Sequence, residues 1–287
     1  MTTRIAQPLV LATVPELRKW RNSKPNLGFV PTMGALHQGH MALISRARQE
    51  CGHVIVSIFV NPLQFAPNED FGKYPRTFER DKELCANEGV DAIFFPSEET
   101  MYPGGQQATT KVLPPPVLEK SLYGQYRPPF FSGIATVVAR LFNLVQPDVA
   151  YFGEKDYQQL CVIRRMVLDL HMPVRVVGVE TVRELDGLAC SSRNVFLDAQ
   201  QRRDAPLLQS VLQEIAAKSK LEPANLASHL EMGKNKIAEL HDVDLKYLVA
   251  CDTVSLEELK TAKIPMVLLV AAKFKEIWLI DTLVVKD

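Results

Sequence analysis

Leu27-Gly28-Phe29-Val30-Pro31-Thr32-Met33-Gly34-Ala35-Leu36-His37-Gln38-Gly39-His40-Met41-Ala42-Leu43-Ile44-Ser45-Arg46-Ala47 is the stretch that decides the fold. An apolar run stops at Pro31, a Gly-containing segment follows, and residues 41–47 alternate faces at helical spacing, which reads as strand, loop, helix. Val54-Ile55-Val56-Ser57-Ile58-Phe59-Val60 comes next, rich in β-branched residues and bounded by Gly52 and Pro62. Such a run is a strand covered on both faces, and a parallel sheet is its natural host.

Outward from there the alternation continues. Residues 78–88 carry a helical apolar pattern that closes at Gly89, and residues 90–95 repeat the buried-strand signature up to Pro96. Residues 134–145 read as an apolar helix, 149–152 as a strand, 157–170 as a helix and 174–179 as a strand. This order predicts right-handed βαβ units in an α/β, doubly wound, Rossmann-like sheet. Residues 103–129, rich in Gly and Pro, are too long for a simple connector and read as functional or mobile. After about Val182 the pattern changes to two polar amphipathic helices (199–218 and 223–240) and short strands at 245–250, 265–271 and 277–284. The expected division is a Rossmann-like α/β domain over 1–181 and a smaller α+β domain over 182–287.

The 287 residues are 47% apolar, enough to bury a sizeable core, and 33 basic residues balance 33 acidic ones. Zero net charge offers no field for nucleic acid or an anionic membrane, so any anion must be held locally. Cys51, Cys85, Cys161, Cys190 and Cys251 are scattered without a CxxC pair, against both a disulfide framework and a thiolate metal site. Charged residues from Arg4 to Lys24 interrupt any signal-peptide core, and no apolar run reaches about 18 residues. The expectation is a cytoplasmic protein without a membrane anchor.

His37 and His40 lie where the first buried strand gives way to a helix, the place where open α/β sheets bind ligands and where backbone N–H groups attract anions. Two imidazoles three residues apart can both face phosphates, with Gly34 and Gly39 letting the backbone approach. The alternative is a capping loop with incidental histidines. Zinc fits less well, because the remaining histidines show no matching cluster at the spacing of a HExxH site. Asn61-Pro62-Leu63-Gln64-Phe65, Tyr74-Pro75-Arg76-Thr77, Gly153-Glu154-Lys155-Asp156-Tyr157-Gln158-Gln159 and Ser191-Ser192-Arg193-Asn194 stand mostly at strand ends or helix starts. Taken singly, Asn61-Pro62 could be a turn, Gly153 to Asp156 a solvated connection, and Thr77 a helix N-cap.

The HxGH segment resembles the signature of the nucleotidyltransferase superfamily. With the four further motifs in order, the chain from about Pro31 to Leu197 is similar to the pantothenate synthetase family. That resemblance implies an ATP- and magnesium-dependent ligase, working as a homodimer on the small molecules pantoate and β-alanine through an acyl adenylate. It implies ATP contacts at Met33, Gly34, Ala35, Leu36, His37, Gln38, Gly39 and His40, at Gly153, Glu154, Lys155 and Asp156, and at Val182, Cys190, Ser191, Ser192 and Arg193. His40, His37, Lys155 and Arg193 are the implied catalytic residues. Gln64 and Gln159 are implied to meet pantoate, and Gln64 also β-alanine; Asn61 and Arg127 are weaker candidates. Asp81 is a weak outer-shell magnesium candidate, and no metal ligand is firmly assigned.

Two positions depart from the family pattern: Phe130 stands where it usually has histidine, and Cys190 where it usually has Met or Leu. The competing expectations are another HxGH nucleotidyltransferase and a nucleotide-binding homologue without turnover.

Overall fold

The computed structural model describes residues 6–65 and 71–286. Six strands form one parallel sheet: Leu9–Leu11 (β1), Leu27–Thr32 (β2), His53–Ile58 (β3), Ala92–Phe94 (β4), Val149–Gly153 (β5) and Arg175–Val179 (β6), in the order β1-β4-β3-β2-β5-β6. The chain winds outward from β2 through β3 to β4, then restarts on the other side with β5 and β6. The order therefore reverses between β2 and β5, which makes the carboxyl ends of these two strands the topological switch point. Leu27, Phe29, Val30, Val54, Ile55, Val56, Ile93 and Phe94 are fully buried, as their unbroken apolar runs require. Each such side chain contributes about 1.5–3 kcal/mol of transfer free energy.

Pro31 does not end its strand. It pairs in register with Ser57, and the carbonyl of Thr32 behind it accepts from the N–H of Phe59. Neighbouring residues of a strand point their N–H groups to opposite edges, so the nitrogen of Pro31 faces the β5 edge, where the β2 pairing stops at Phe29. The missing donor is not needed there.

The chain groups into two units: one runs to Gly153 and resumes over Val162–Val179, and the other holds Glu154–Cys161 and everything from Glu180. In the second, Val243–Asp252 (β7), Met266–Phe274 (β8) and Ile277–Val285 (β9) form an antiparallel sheet in the order β7-β8-β9. Its core joins Leu208, Val211, Leu212 and Ile215 to Leu248, Leu268, Val270 and Phe274. The single helix expected over 199–218 is two, Ala199–Asp204 and Leu207–Leu221, because Pro206 has no N–H to continue the first. The helix expected over 223–240 is Leu226–Ala238, after a 3₁₀ turn over Pro223–Asn225.

Among the elements that were not expected are β1, the helix Val14–Arg21 and the one-turn helix Glu98–Met101. The helix Val14–Arg21 starts with a capping box of Thr13 and Glu16, a T-x-x-E signal present in the sequence. The Gly- and Pro-rich stretch contains one-turn helices Pro116–Glu119 and Tyr123–Tyr126, with Leu118, Leu122 and Tyr123 buried. Among the described residues, no helix is long and apolar enough to cross a membrane.

Candidate active site

In the first unit the carboxyl end of β2 leads into the two-histidine loop. Thr32 donates its hydroxyl to the Ser57 carbonyl at 2.7 Å and accepts the Gly34 N–H at 3.1 Å. Gly34 and Ala35 then take left-handed backbone conformations, φ 86° and 50°. This turn aims the next two N–H groups at Asp81, whose Oδ2 accepts from Ala35 and Oδ1 from Leu36, each at 2.9 Å. Glycine at 34 is needed for its positive φ and because a Cβ would lie 3.1 Å from both Asp81 Oδ2 and Ile58.

The helix Gln38–Glu50 starts on a capping box made of two histidines. His37 Nδ1 accepts the Gly39 N–H at 3.1 Å, and His40 Nδ1 accepts the His37 N–H at 3.3 Å. The rings lie 4.1 Å apart, tilted 47°. An Nδ1 that accepts a backbone N–H carries no proton, so in each neutral imidazole the proton sits on Nε2. Both rings are thereby set as Nε2–H donors. The N–H groups of Gly34, Ala35, Leu36, His37 and Gly39 all have partners inside this unit. The loop thus differs from the open backbone cradle expected from its glycines, because these N–H groups are already engaged. Gln38 is exposed, and Met33 is half-buried just past β2.

Asp81, the outer-shell candidate, is buried with both carboxylate oxygens on this loop. Thr77 occupies the N-cap position of the helix Phe78–Asn87 without capping it, and its hydroxyl donates to Asp81 Oδ1 at 3.2 Å instead.

After β3, Asn61 does cap a turn, the 3₁₀ helix Pro62–Gln64. It is buried, and its Nδ2 donates to Gln64 Oε1 at 2.9 Å and to the Gly133 carbonyl at 3.1 Å. Holding Oε1 fixes the Gln64 amide with Nε2 as its remaining donor end. Tyr102, which the sequence reading did not single out, donates its hydroxyl to Asn61 Oδ1 at 2.6 Å, and burial pushes this phenol's pKa well up. The helix Phe130–Val145 reaches this turn only because residue 133 is glycine: a Cβ there would meet the Leu63 carbonyl at 2.2 Å. Arg127 stacks on Phe130, 4.4 Å from its ring centroid, and donates to the Tyr123 hydroxyl at 3.1 Å.

The second unit holds the other set. Glu154–Asp156 form a 3₁₀ turn directly after Gly153, and Gln159 lies half-buried on the first turn of the helix Tyr157–Asp169. The Lys155 side chain is 14% exposed, with its Nζ 3.7 Å from Asp156. It lines a pocket together with Ser191, Arg193, Asn194, Trp278 and Asp281. Ser191 caps the 3₁₀ helix Ser192–Phe196 by accepting the Arg193 N–H at 3.2 Å. The Arg193 guanidinium and the Ser192 hydroxyl make no hydrogen bond to other described residues. Asn194 donates to Glu184 at 2.8 Å and to the Ala189 carbonyl at 3.0 Å, tying this segment to a hairpin.

Val182 and Cys190 face each other across that hairpin, the Cys190 N–H donating to the Val182 carbonyl at 2.9 Å. Burial and then the nearby Glu184 carboxylate push the Cys190 thiol pKa up, which disfavours the nucleophilic thiolate. Arg183 forms a two-pronged pair with buried Asp281, at 2.7 and 3.0 Å. Asp281 and the neighbouring Thr282 fall in the strand expected over 277–284, but neither they nor Arg183 carry a role in the sequence reading.

A profile of the pantoate-beta-alanine ligase family matches residues 9–284. The chain belongs to that family. A pantothenate synthetase of Thermus thermophilus is 48% identical over 276 residues, 95% of this chain and 98% of that one. A crystal structure of the Thermus thermophilus enzyme superposes with a TM-score of 0.91 at 47% identity, covering 97% of this chain and 100% of that chain. A pantoate-beta-alanine ligase from Francisella tularensis, described as complexed with beta-gamma ATP and beta-alanine, has a TM-score of 0.77 at 32% identity, with 96% and 97% coverage. A bifunctional pantoate ligase/cytidylate kinase from a Nostoc strain is 46% identical over 265 residues, 91% of this chain. The chain spans 50% of that relative's length.

Proposed function

We propose that this chain joins pantoate to β-alanine at the expense of ATP. The pantoate carboxylate attacks the ATP α-phosphorus, the bond to the β,γ-phosphates breaks, and pyrophosphate leaves. The β-alanine amine then attacks the acyl carbon of the adenylate, loses a proton, and expels AMP. The observation that carries the reading is the family match over residues 9–284, reinforced by the relative described with ATP and β-alanine bound.

In this reading His37 and His40 donate their Nε2–H groups to phosphate oxygens as charge accumulates on the leaving pyrophosphate. They work by hydrogen bonding, because their Nδ1 atoms accept backbone N–H groups and the ring proton lies on Nε2. Lys155 and Arg193 offset phosphate charge, and Ser191 and Ser192 add polar contacts. The backbones of Gly153, Val182 and Cys190 border the nucleotide. Gln64 and Gln159 bind pantoate without adding a charge that would blunt its nucleophilic carboxylate, and Gln64 also meets β-alanine.

Magnesium, which the resemblance implies, finds no protein cage: among the described residues no three His, Cys, Asp or Glu side chains could hold a metal. Asp81 is occupied by backbone N–H groups. Magnesium keeps several waters and favours substrate phosphate oxygens, so the ATP phosphates would hold it. Cytoplasmic residence rests on the scattered cysteines of the sequence and a homodimer on the resemblance; light scattering of the purified chain tests the dimer.

The deciding experiment is pyrophosphate release from ATP and pantoate with β-alanine omitted. Release that depends on pantoate supports the adenylate. ATP binding without release favours a homologue that lost turnover, and release that needs a phosphorylated acceptor instead favours another nucleotidyltransferase.

A further inference from the structure

The N–H groups of Ala35 and Leu36 converge because two successive residues, Gly34 and Ala35, are left-handed. Converging backbone donors of this kind bind anions. Here the anion is the protein's own: Asp81, 1% exposed, accepts both N–H groups at 2.9 Å and takes a third bond from Thr77 at 3.2 Å. It reaches the loop from the first turn of the helix Phe78–Asn87. Charge-assisted bonds to two consecutive amides fix both the position and the orientation of that peptide.

We propose that Asp81 is a positioning residue for the histidine pair, an internal anion that sets the turn from which His37 and His40 are aimed. Leu36 is bonded directly to His37, whose N–H holds His40 Nδ1 and whose Nδ1 holds Gly39. Any rotation of the 35–36 peptide therefore passes to both rings. The carboxylate also fills the one converging pair of backbone donors in this loop, so a phosphate cannot lodge there and is directed to the imidazole Nε2–H groups. The inference rests on the proposed function only in what the rings contact; the hold of Asp81 on their tautomers stands apart from it.

The test compares wild type with Asp81→Asn and Asp81→Ala. Asn keeps one acceptor but turns an N–H donor toward a backbone N–H; Ala removes both acceptors. Pyrophosphate release from ATP and pantoate should lose about 10-fold or more in kcat for Asp81→Ala, with a raised KM for ATP and an unchanged KM for pantoate. Ring ¹⁵N spectra should show two Nε2–H imidazoles in wild type and averaged tautomers in the variants. A folded Asp81→Ala protein that melts earlier but keeps wild-type kcat, KM for ATP and ring spectra overturns the proposal. If wild type itself releases no pyrophosphate, the functional reading fails and the ring spectra decide this one. Should neither variant fold, Thr77→Val, which removes one of three donors, should lower kcat about 2- to 5-fold; no change in rate or ring spectrum overturns it.

Discussion

The hydroxyl of Thr282 donates to the carbonyl oxygen of Lys155 across 2.9 Å, joining the last strand to the turn that carries a cationic side chain. The adjacent Asp281 accepts both prongs of Arg183 and also the Thr282 N–H at 2.7 Å. The lysine turn, the closing strand and the hairpin are thus braced together inside one unit. Lys155 starts with its backbone fixed, and in the proposed function less orientation entropy would then oppose its use on a phosphate.

Thr282→Val keeps the shape and removes the donor. Stability should fall by about 1 kcal/mol, the net worth of one hydrogen bond, and kcat for pyrophosphate release should fall several-fold. A variant that melts lower yet turns over at the wild-type rate would show that the bond holds the strand but not the lysine.

His40→Ala removes one Nε2–H donor and one acceptor of the helix cap. Turnover should drop about 10²-fold or more, the scale of losing a preorganised donor to developing charge, while circular dichroism stays native. Near-normal turnover in the folded variant contradicts the role assigned to the pair.

Lys155→Ala and Gln159→Ala should fail differently. The lysine variant should lose adenylate formation, whereas the glutamine variant should chiefly raise the KM for pantoate, because one side chain carries charge and the other only hydrogen bonds. Steady-state kinetics in both substrates separates them; an equal loss confined to β-alanine use would mean that the pocket is misassigned.

Phe130 stacks under Arg127 at 4.4 Å, a contact that a histidine ring could replace in part. Phe130→His should change kcat/KM by no more than a few-fold. An inactive wild type rescued by Phe130→His would instead mark the chain as a degenerate relative.

Alkaline pH should destabilise the fold through two buried thiols. Burial pushes Cys85 and Cys251 from 9.0 up to about 12. Between these values the unfolded chain has released protons that the folded chain retains, so stability is full below about pH 9 and is lost as pH rises toward 12. Urea midpoints at about pH 8 and about pH 10.5 measure this, and the Cys85→Ala/Cys251→Ala double variant should show a smaller fall between them.

The α/β alternation, the presence of most strands and the place of the histidine loop were legible because burial periodicity and Gly/Pro punctuation are local properties. The run at residues 27–30 announces a strand wherever it packs, and the five motifs announce a family by their order. The break at Pro206 and the capping box at Thr13 were equally local, written in the sequence and passed over.

The partners were not legible. That Ala35 and Leu36 give their N–H groups to Asp81, about 46 positions away, and that Lys155 is pinned by Thr282, 127 positions away, are choices among many acceptors of similar strength. A hydrogen bond in a folded chain is decided by which groups the closing of long loops brings within about 3 Å, and nothing in local spacing encodes that distance. The sequence determined which residue types are available for the chemistry; only the tertiary structure decided which ring nitrogens of His37 and His40 are held by the backbone.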